Sequence, residues 1–467
     1  MELNFPPLLR SGLVQRFSTF LKMMFIGVLI LLLHIPLLMT DGVLKERQGF
    51  RVQAAEEIAG SWGRRQTVTG PVLAVPYVYR ANVVRTKVVD NRAVQVEETA
   101  DETATAYFFP ETLVVAGNVE PEMRHRGIYD SVVYSSRLTF SGDFQPDFAA
   151  AGIENARILW DRAQVLFGVT DLRGIRNVGP VTLNGGTPFP FEAAGGAGLE
   201  GMWLGAKITG AAAGTRLSYA FEAALQGSER VDLVPAGKST KVELRSAWDS
   251  PSFGGAYLPV TRRVGPEGFT AAWEISPFSR GFQESWSNRT TEAGALAKKL
   301  AAASFGVAFA QPVDGYRLAE RAQKYGALFF VIVFAVCFVF ELTAGLRIHP
   351  LQYTLVGAAL CLFFLAFLAL SEFMAAGLAY AAAAAACTAL VSLYAWSFLR
   401  TGRRTLVLGG GLAATYGCLY FVLKSQDYAL IAGTAALFAA LALVMFATRR
   451  INAAEPDLPA TAVEAKS

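Results

Sequence analysis

Cysteine is missing from most of this chain. Its four thiols, Cys337, Cys361, Cys387 and Cys418, all fall late, inside apolar runs. The long middle segment therefore cannot be a disulfide scaffold, and it offers no thiolate ligands. Histidine is nearly as scarce, with three residues in all, and of these only His125 lies in the middle segment. A His-rich zinc site is excluded there. A Ser-His-Asp triad would have to use His125, which stands among Glu122, Arg124 and Arg126 in a polar stretch and reads as a surface histidine. No G-x-S-x-G elbow and no phosphate-cradling glycine motif occurs. Charge is sparse too, at 17% of residues with a net +4, and no basic run is interleaved with aromatics. Nucleic acid is thus not an expected partner. Two separated carboxylates acting on a sugar leave no local signature, so that reading stays open. No catalytic, cofactor-binding or metal-ligating residue is expected.

What the chain has in excess is apolar character: 53% hydrophobic residues and a mean hydropathy of +0.35. The excess sits in one N-terminal run and in the last third. Residues 1–22 read as a cytoplasmic N-terminus carrying Arg10, Arg16 and Lys22, and 23–39 as the first transmembrane helix. A cleavable signal would have an apolar core of about 7–15 residues followed by a small-residue site. The run from Met23 to Met39 is longer and leads into Thr40-Asp41-Gly42, so an uncleaved signal anchor is expected. Pro36 is placed to kink its outer end, and His34 reads as a packed or interfacial side chain. Leu44 to Ala59 is helical in pattern, with Phe50, Ala54 and Ile58 on one face, and predicts a stalk ending at Ser61-Trp62-Gly63.

From Val72 to Tyr79 onward the signals are those of strands. Short alternating runs are broken at Pro110, Gly117-Asn118, Pro121, Gly127 and Ser141-Gly142. Further strands are predicted at Ala156–Trp160, Gly201–Ile208, Arg216–Leu225, Thr240–Ser246 and Phe269–Ile275, with a helix from Asn288 to Ala303. Flexible loops are expected at Gly185-Gly186 and from Gly195 to Gly201. Segment 40–325, stalk included, thus reads as a β-rich, sandwich-like domain, long enough for a substantial core.

The chain turns back toward membrane character in Gly306 to Arg347, GVAFAQPVDGYRLAERAQKYGALFFVIVFAVCFVFELTAGLR. A strand-like run ends at Gln311-Pro312, a charged helical turn follows from Arg317 to Lys324, and Gly326 to Leu346 supplies the roughly 20 residues a span requires. Later spans are expected at Leu351–Leu370, Met374–Leu399, Thr405–Leu423 and Tyr428–Ala447. Residues 326–447 therefore read as a five-helix transmembrane domain, and 448–467 as a disordered cytoplasmic tail. Arg347, His349, Arg400, Arg403, Arg404, Arg449 and Arg450 share one side with Arg10, Arg16 and Lys22, while the other short loops hold only Glu372, Lys424 and Asp427. By the positive-inside rule both termini are cytoplasmic and the large domain is periplasmic. The aromatic residues Tyr325, Tyr353, Trp396 and Tyr428 fall near span ends. Gly409-Gly410-Gly411, Gly417 and the run Ala381 to Ala386 suit close helix packing.

Glu341 is the ionisable residue that most needs a partner, since a charge inside a span costs a few kcal/mol. It lies about 9 Å along the helix from Arg347. A structural pairing or snorkelling toward Arg347 or His349 is the leading expectation, with proton or ion handling as the rival. These three residues form the candidate intramembrane polar site. Glu372 and Asp427, in the outer loops, need only solvation.

Several phrases resemble the CreD family of bacterial inner-membrane proteins: ERQGFRVQAAEEIAGSWGRRQTVTGPVLAVPY, SPSFGGAYLPVTRRVGPEGFTAAWEIS, GVAFAQPVDGYRLAERAQKYGALFF, IHPLQYTLVGAALCLFFLAFLALSE and QDYALIAGTAALFAALALVMFATRR. The similarity runs in order from about Glu46 to Arg450. It implies a cell-envelope integrity protein of Gram-negative inner membranes, expressed under a CreBC-type two-component system, with colicin tolerance and an envelope stress response attached to the family. The family offers no catalytic residues to carry over. One departure is LSEFMAAGLAY, where Phe373 stands in place of an expected histidine, against a metal or proton role for that loop.

The combined expectation is an α-helical membrane bundle of six transmembrane helices with a large β-rich periplasmic domain inserted between helices 1 and 2. It is read as non-enzymatic and without cofactor. Its expected partners are membrane lipids and an unidentified envelope protein, lipid or glycan bound through the head. The alternative is a transporter or lipid-handling protein that uses the bundle and Glu341.

Overall fold

The computed structural model describes residues 7–89, 92–195, 201–210, 214–289, 293–309, 315–344, 348–399, 401–424 and 429–448. Arg347, the turn from Gln311 to Asp314, most of the 195–201 loop, Arg400, Asp427, Tyr428, Arg449, Arg450 and the tail beyond lie outside the described residues. The chain divides into two compact units, Arg51–Pro312 and Met1–Phe50 with Val313–Ser467. Residues 40–50 and the helical turn before Tyr325, which the sequence reading grouped with the β-rich segment, thus pack with the helical unit.

Helix α1 (Pro7–Trp62) is a single run that contains both the first apolar stretch and the stalk. It continues through Pro36, whose carbonyl accepts from the Thr40 hydroxyl at 3.0 Å. The β-rich unit follows. Its first strands are β1 (Gln66–Val89), β2 (Arg92–Phe108), β3 (Thr112–Arg126), β4 (Tyr129–Phe144), β5 (Arg157–Ile158) and β6 (Gln164–Val169). Next come β7 (Ile175–Val178), β8 (Val181–Leu183), β9 (Pro188–Phe189), β10 (Glu192–Ala194), β11 (Met202–Lys207), β12 (Leu217–Ser228) and β13 (Arg230–Leu233). The last are β14 (Ser239–Ser246), β15 (Pro251–Gly255), β16 (Thr261–Gly265), β17 (Gly268–Ile275), β18 (Ser285–Ser287) and β19 (Phe305–Phe309), with helix α2 (Ala293–Ala302) between the final two.

These strands form two sheets. One has ten strands, with the path β10-β11-β6-β1-β13-β19-β15 and with β2, β5 and β18 attached beside it. The other has nine, ordered β16-β17-β14-β3-β4-β12-β8-β9 with β7 on β12. Alternation decides which face each side chain takes. In β17, Phe269, Ala271, Trp273 and Ile275 are buried while Thr270 and Glu274 are exposed; in β14, Val242 and Leu244 point inward, opposite Lys241 and Arg245. Both sheets contribute to one hydrophobic core. Phe167 of β6 meets Phe140 of β4 and Phe221 of β12 at ring distances of 5.3 Å each, and Trp273 reaches Phe305 of β19 at 5.6 Å. Sheets joined through their inner faces in this way have a sandwich-like packing. At Gly306 a Cβ would lie 2.0 Å from the Val231 carbonyl oxygen, so only glycine lets β19 approach β13 this closely.

In the helical unit, α3 (Gly315–Lys324) and α4 (Gly326–Ala344) form a pair bent by 56°. Then follow α5 (Pro350–Ser371), α6 (Ala376–Leu399), α7 (Gly402–Lys424) and α8 (Ala429–Thr448). Among the described residues, four helices are long and apolar enough to cross a membrane, or five if the bent pair is one span. Ile26, Leu29, Leu33, Leu37 and Leu44 form a buried stripe on α1 that joins the core made by α4, α5, α6 and α7. The glycines that allow close approach are only partly those expected. Gly357 and Gly326 receive Leu33 and Leu37, and Gly409 receives Ser392, whereas Gly410 and Gly417 face open space.

Candidate functional sites

The intramembrane carboxylate is fully engaged, but with partners other than those anticipated. Glu341, near the end of α4, forms an ion pair with the Lys22 ammonium from α1. The other carboxylate oxygen accepts the Tyr353 hydroxyl of α5 at 2.8 Å, and the Ile348 backbone N–H donates to the first at 3.2 Å. The Lys22 ammonium also lies over the Tyr353 ring, 5.8 Å from its centre. The Glu341 side chain is 9% exposed and that of Lys22 20%. His349 is used elsewhere. Its Nδ1 accepts the Leu351 N–H at 3.2 Å while Gln352 receives the His349 N–H, forming a capping box that starts α5. The signal for Lys22 was available, because a cation at the start of the first apolar run and a carboxylate near the end of the next, which returns in the opposite direction, fall at matching positions along the two helices.

Glu372 also departs from expectation. Rather than being merely solvated, its side chain is 9% exposed, accepts the Tyr316 hydroxyl of α3 at 3.2 Å and lies 3.6 Å from Arg47 of α1. Three helices thereby meet on one carboxylate at the end of α5. Phe373 beside it is exposed.

In the β-rich unit, His125 is exposed and its Nδ1 lies 2.5 Å from Asp130 across the β3–β4 hairpin. Arg124 and Arg176 flank the Trp62 ring at 4.6 and 5.5 Å, and Arg126 pairs with Glu57 of the stalk. The Arg216 guanidinium beside Asp143, at 2.7 Å, helps the Thr112 hydroxyl hold that carboxyl below the usual carboxylate range. Arg173 does the same for Asp171. Burial pushes the Arg280 guanidinium down; it is sandwiched against Phe109 and Phe282 and donates to the Ala236 carbonyl at 2.9 Å. These are structural uses of charge. Among the described residues no group of three or more His, Cys, Asp or Glu is arranged to hold a metal ion.

Among the described residues the roomiest clefts lie on the solvent face of the nine-stranded sheet, ahead of an apolar cavity of about 320 Å³ in the helical unit lined by Phe329, Val336 and Leu419 among others. A cleft of about 610 Å³ runs over β3, β4, β12 and β14, lined by Glu120, Arg137, Thr139, Gln226 and Glu243 among others. A second, of about 580 Å³, continues toward the β16–β17 hairpin and is lined by Arg263, Glu267 and Thr270. The two share Asn118 and Arg245. The floor is polar and internally matched: Arg245 donates to Glu243 at 2.6 and 3.0 Å, and Asn118 to Glu120 at 2.8 Å. Sequence reasoning identified several of these strands but not the groove, because outward polar positions occur on every solvated sheet face whether flat or concave.

A bundle of long apolar helices carried in one chain with a two-sheet β domain defines a multi-pass membrane protein with a large extramembrane head. The chain belongs to the CreD family of inner membrane proteins, whose model, described as Inner membrane protein CreD, matches residues 18–454. It is 32% identical over 440 residues to Inner membrane protein CreD of Escherichia coli K12, covering 93% of each chain. Among solved structures, a single-residue mutant of the M1 zinc metallopeptidase of Deinococcus radiodurans, bound to a Tyr-Ser-Ala substrate, aligns with 36% of this chain and 39% of its own at 10% identity and a TM-score of 0.20. The unsubstituted enzyme aligns at 9% identity, 36% and 38% coverage, and a TM-score of 0.19. Scores this low carry no argument about fold or function.

Proposed function

We propose that the chain maintains cell-envelope integrity as a non-enzymatic protein, with its β-rich head in the periplasm binding or scaffolding an envelope component. Six spans carry it, α8 and the bent α3–α4 pair included, with both termini in the cytoplasm. Expression under a CreBC-type system and a part in colicin tolerance belong to the same proposal. The observation that carries the binding role is the polar groove formed by the two adjoining clefts, whose floor holds the Arg137–Glu222 and Arg245–Glu243 pairs. The engagement of Glu341 by Lys22 and Tyr353 supports a structural carboxylate over a transported proton or ion.

The head-binding role is tested by placing the photo-crosslinking residue p-benzoylphenylalanine at Thr139, on the groove floor, in the full chain in growing cells. A discrete adduct to an envelope component is the expected result. The absence of any adduct at normal protein abundance would remove the groove from the proposal. Orientation is tested separately by reporter fusions. Those at Gly142 and Gly186 should behave as periplasmic, and those at Gly402 and after Asn452 as cytoplasmic; a cytoplasmic signal at Gly142 would overturn the orientation.

A further inference from the structure

The connection from β15 to β16 carries apolar side chains that the head leaves in solvent. Leu258 and Val260 are 67% and 68% exposed, and Phe278, in the short turn Pro277–Ser279, is 97% exposed. The two loops are held together: the Tyr257 hydroxyl donates to the Ser279 carbonyl at 2.7 Å, one residue from Leu258 on one side and from Phe278 on the other. A soluble domain gains nothing by presenting such a patch to water unless something covers it.

The strand that follows is incomplete in the same sense. Among the described residues β16 is the end of the nine-stranded sheet, paired with β17 alone. Thr261, Arg262, Arg263 and Val264 are all exposed, so neither face of the strand is covered by the core. Arg262 and Val264 share one face by alternation; Arg263 takes the other and lines the 580 Å³ cleft. Among the described residues neither Arg262 nor Arg263 has an ion pair, in contrast to Arg137 and Arg245 on the groove floor.

We propose that the β16 edge, with Leu258, Val260 and Phe278 beside it, docks an extended segment of a partner protein that combines acidic with apolar side chains. The inference rests on the reading that the head binds an envelope component, and names that component as a protein. The segment's backbone continues the sheet at β16, which is recognition by strand addition. Its carboxylates meet Arg262 on one face and Arg263 on the other, and its apolar residues cover Val264 and the loop patch. Two other occupants fit less well. A second copy of this chain, paired edge to edge about a two-fold axis, would set four arginines against one another, and facing like charges destabilise a strand pair. A lipid surface is the other: its anionic headgroups match the arginines, but it has no backbone to continue the open β16 edge.

The test places p-benzoylphenylalanine at Leu258, Val264 or Phe278 of the full chain in growing cells, with Thr139 as the comparison position. Support requires an adduct to another protein whose crosslinked peptide is rich in Asp or Glu and in apolar residues. Its yield must fall roughly fivefold or more in R262E/R263E, since removing complementary charge slows association and weakens the complex. R262Q/R263Q, which neutralises without reversing, should give an intermediate loss and guards against misfolding of the swap. An adduct between two copies of this chain, a phospholipid adduct, an adduct insensitive to the charge changes, or no adduct at all would each overturn the proposal. Labelling at Thr139 but not at the corner sinks this inference and leaves the head-binding role standing. Failure at every position sinks both.

Discussion

Replacing Glu341 by Gln should lower the abundance and thermal stability of the purified chain, and removing Lys22 as well should restore most of the loss. Sequence reasoning, with Arg347 or His349 as the partner, leads to the opposite expectation: a nearly silent Gln variant, because an amide is cheaper to bury than a carboxylate. The structure reverses that expectation through one residue. Lys22 sits against Glu341 with only a fifth of its side chain exposed, so the Gln variant leaves an ammonium in the bundle without its counter-charge. Breaking a buried pair from one side costs roughly 3–5 kcal/mol. The figure here falls toward or below the lower end, because a lysine near a membrane surface can snorkel outward. The double variant Lys22→Met with Glu341→Gln removes both charges, retains a hydrogen bond from Tyr353, and should melt within a few degrees of the parent. Detergent-solubilised melting curves for the two single variants and the double variant decide the matter. A Gln variant that accumulates and melts like the parent yet fails to complement a deletion strain would move the case to ion handling.

Truncation of Trp273 should be the most damaging single change in the head. Its ring is 1% exposed and packs against Phe253 and Phe305, which belong to the opposite sheet. Trp273→Ala leaves a cavity where the sheets meet, at a cost of about 3–5 kcal/mol. Trp273→Phe should cost far less, because the indole N–H is buried without a hydrogen-bond partner among the described residues and nothing is orphaned by its loss. Circular dichroism melts that follow the β signal of the full chain measure both. Equal losses in Ala and Phe would mean that the N–H is satisfied and that the shape argument is incomplete.

What was legible in the sequence follows from which strands have one dry face. β14 and β17 alternate cleanly because one side meets the core, and their ends are recovered to within a residue. The outer half of the β1–β2 hairpin was not legible. Its described residues from Arg80 to Thr103 are exposed or half-buried on both faces, so no period of two is imposed on the sequence. β16 escaped notice for the same reason, although its exposure on both faces is what makes it a candidate docking edge. In the helical unit, length and hydropathy were enough to place the long helices. Partner choice was not recoverable in that way: Lys22 and Glu341 are 319 positions apart, and Glu372 collects Arg47 and Tyr316 from two other helices. Helix order alone says nothing about which helix faces which.

That separation has a consequence in time. The first helix is made early, and its lysine has no carboxylate to meet until the entire head has been synthesised and the following helix has left the ribosome. At about 5–20 residues per second, 319 positions correspond to a wait of roughly 15–60 s. During that interval the buried stripe from Ile26 to Leu44 has no helical core to join and must rest against lipid or a holding factor. Closure of the bundle is therefore a late event in the birth of this protein, and the Lys22–Glu341 contact is a mark that the whole β-rich unit has already been synthesised.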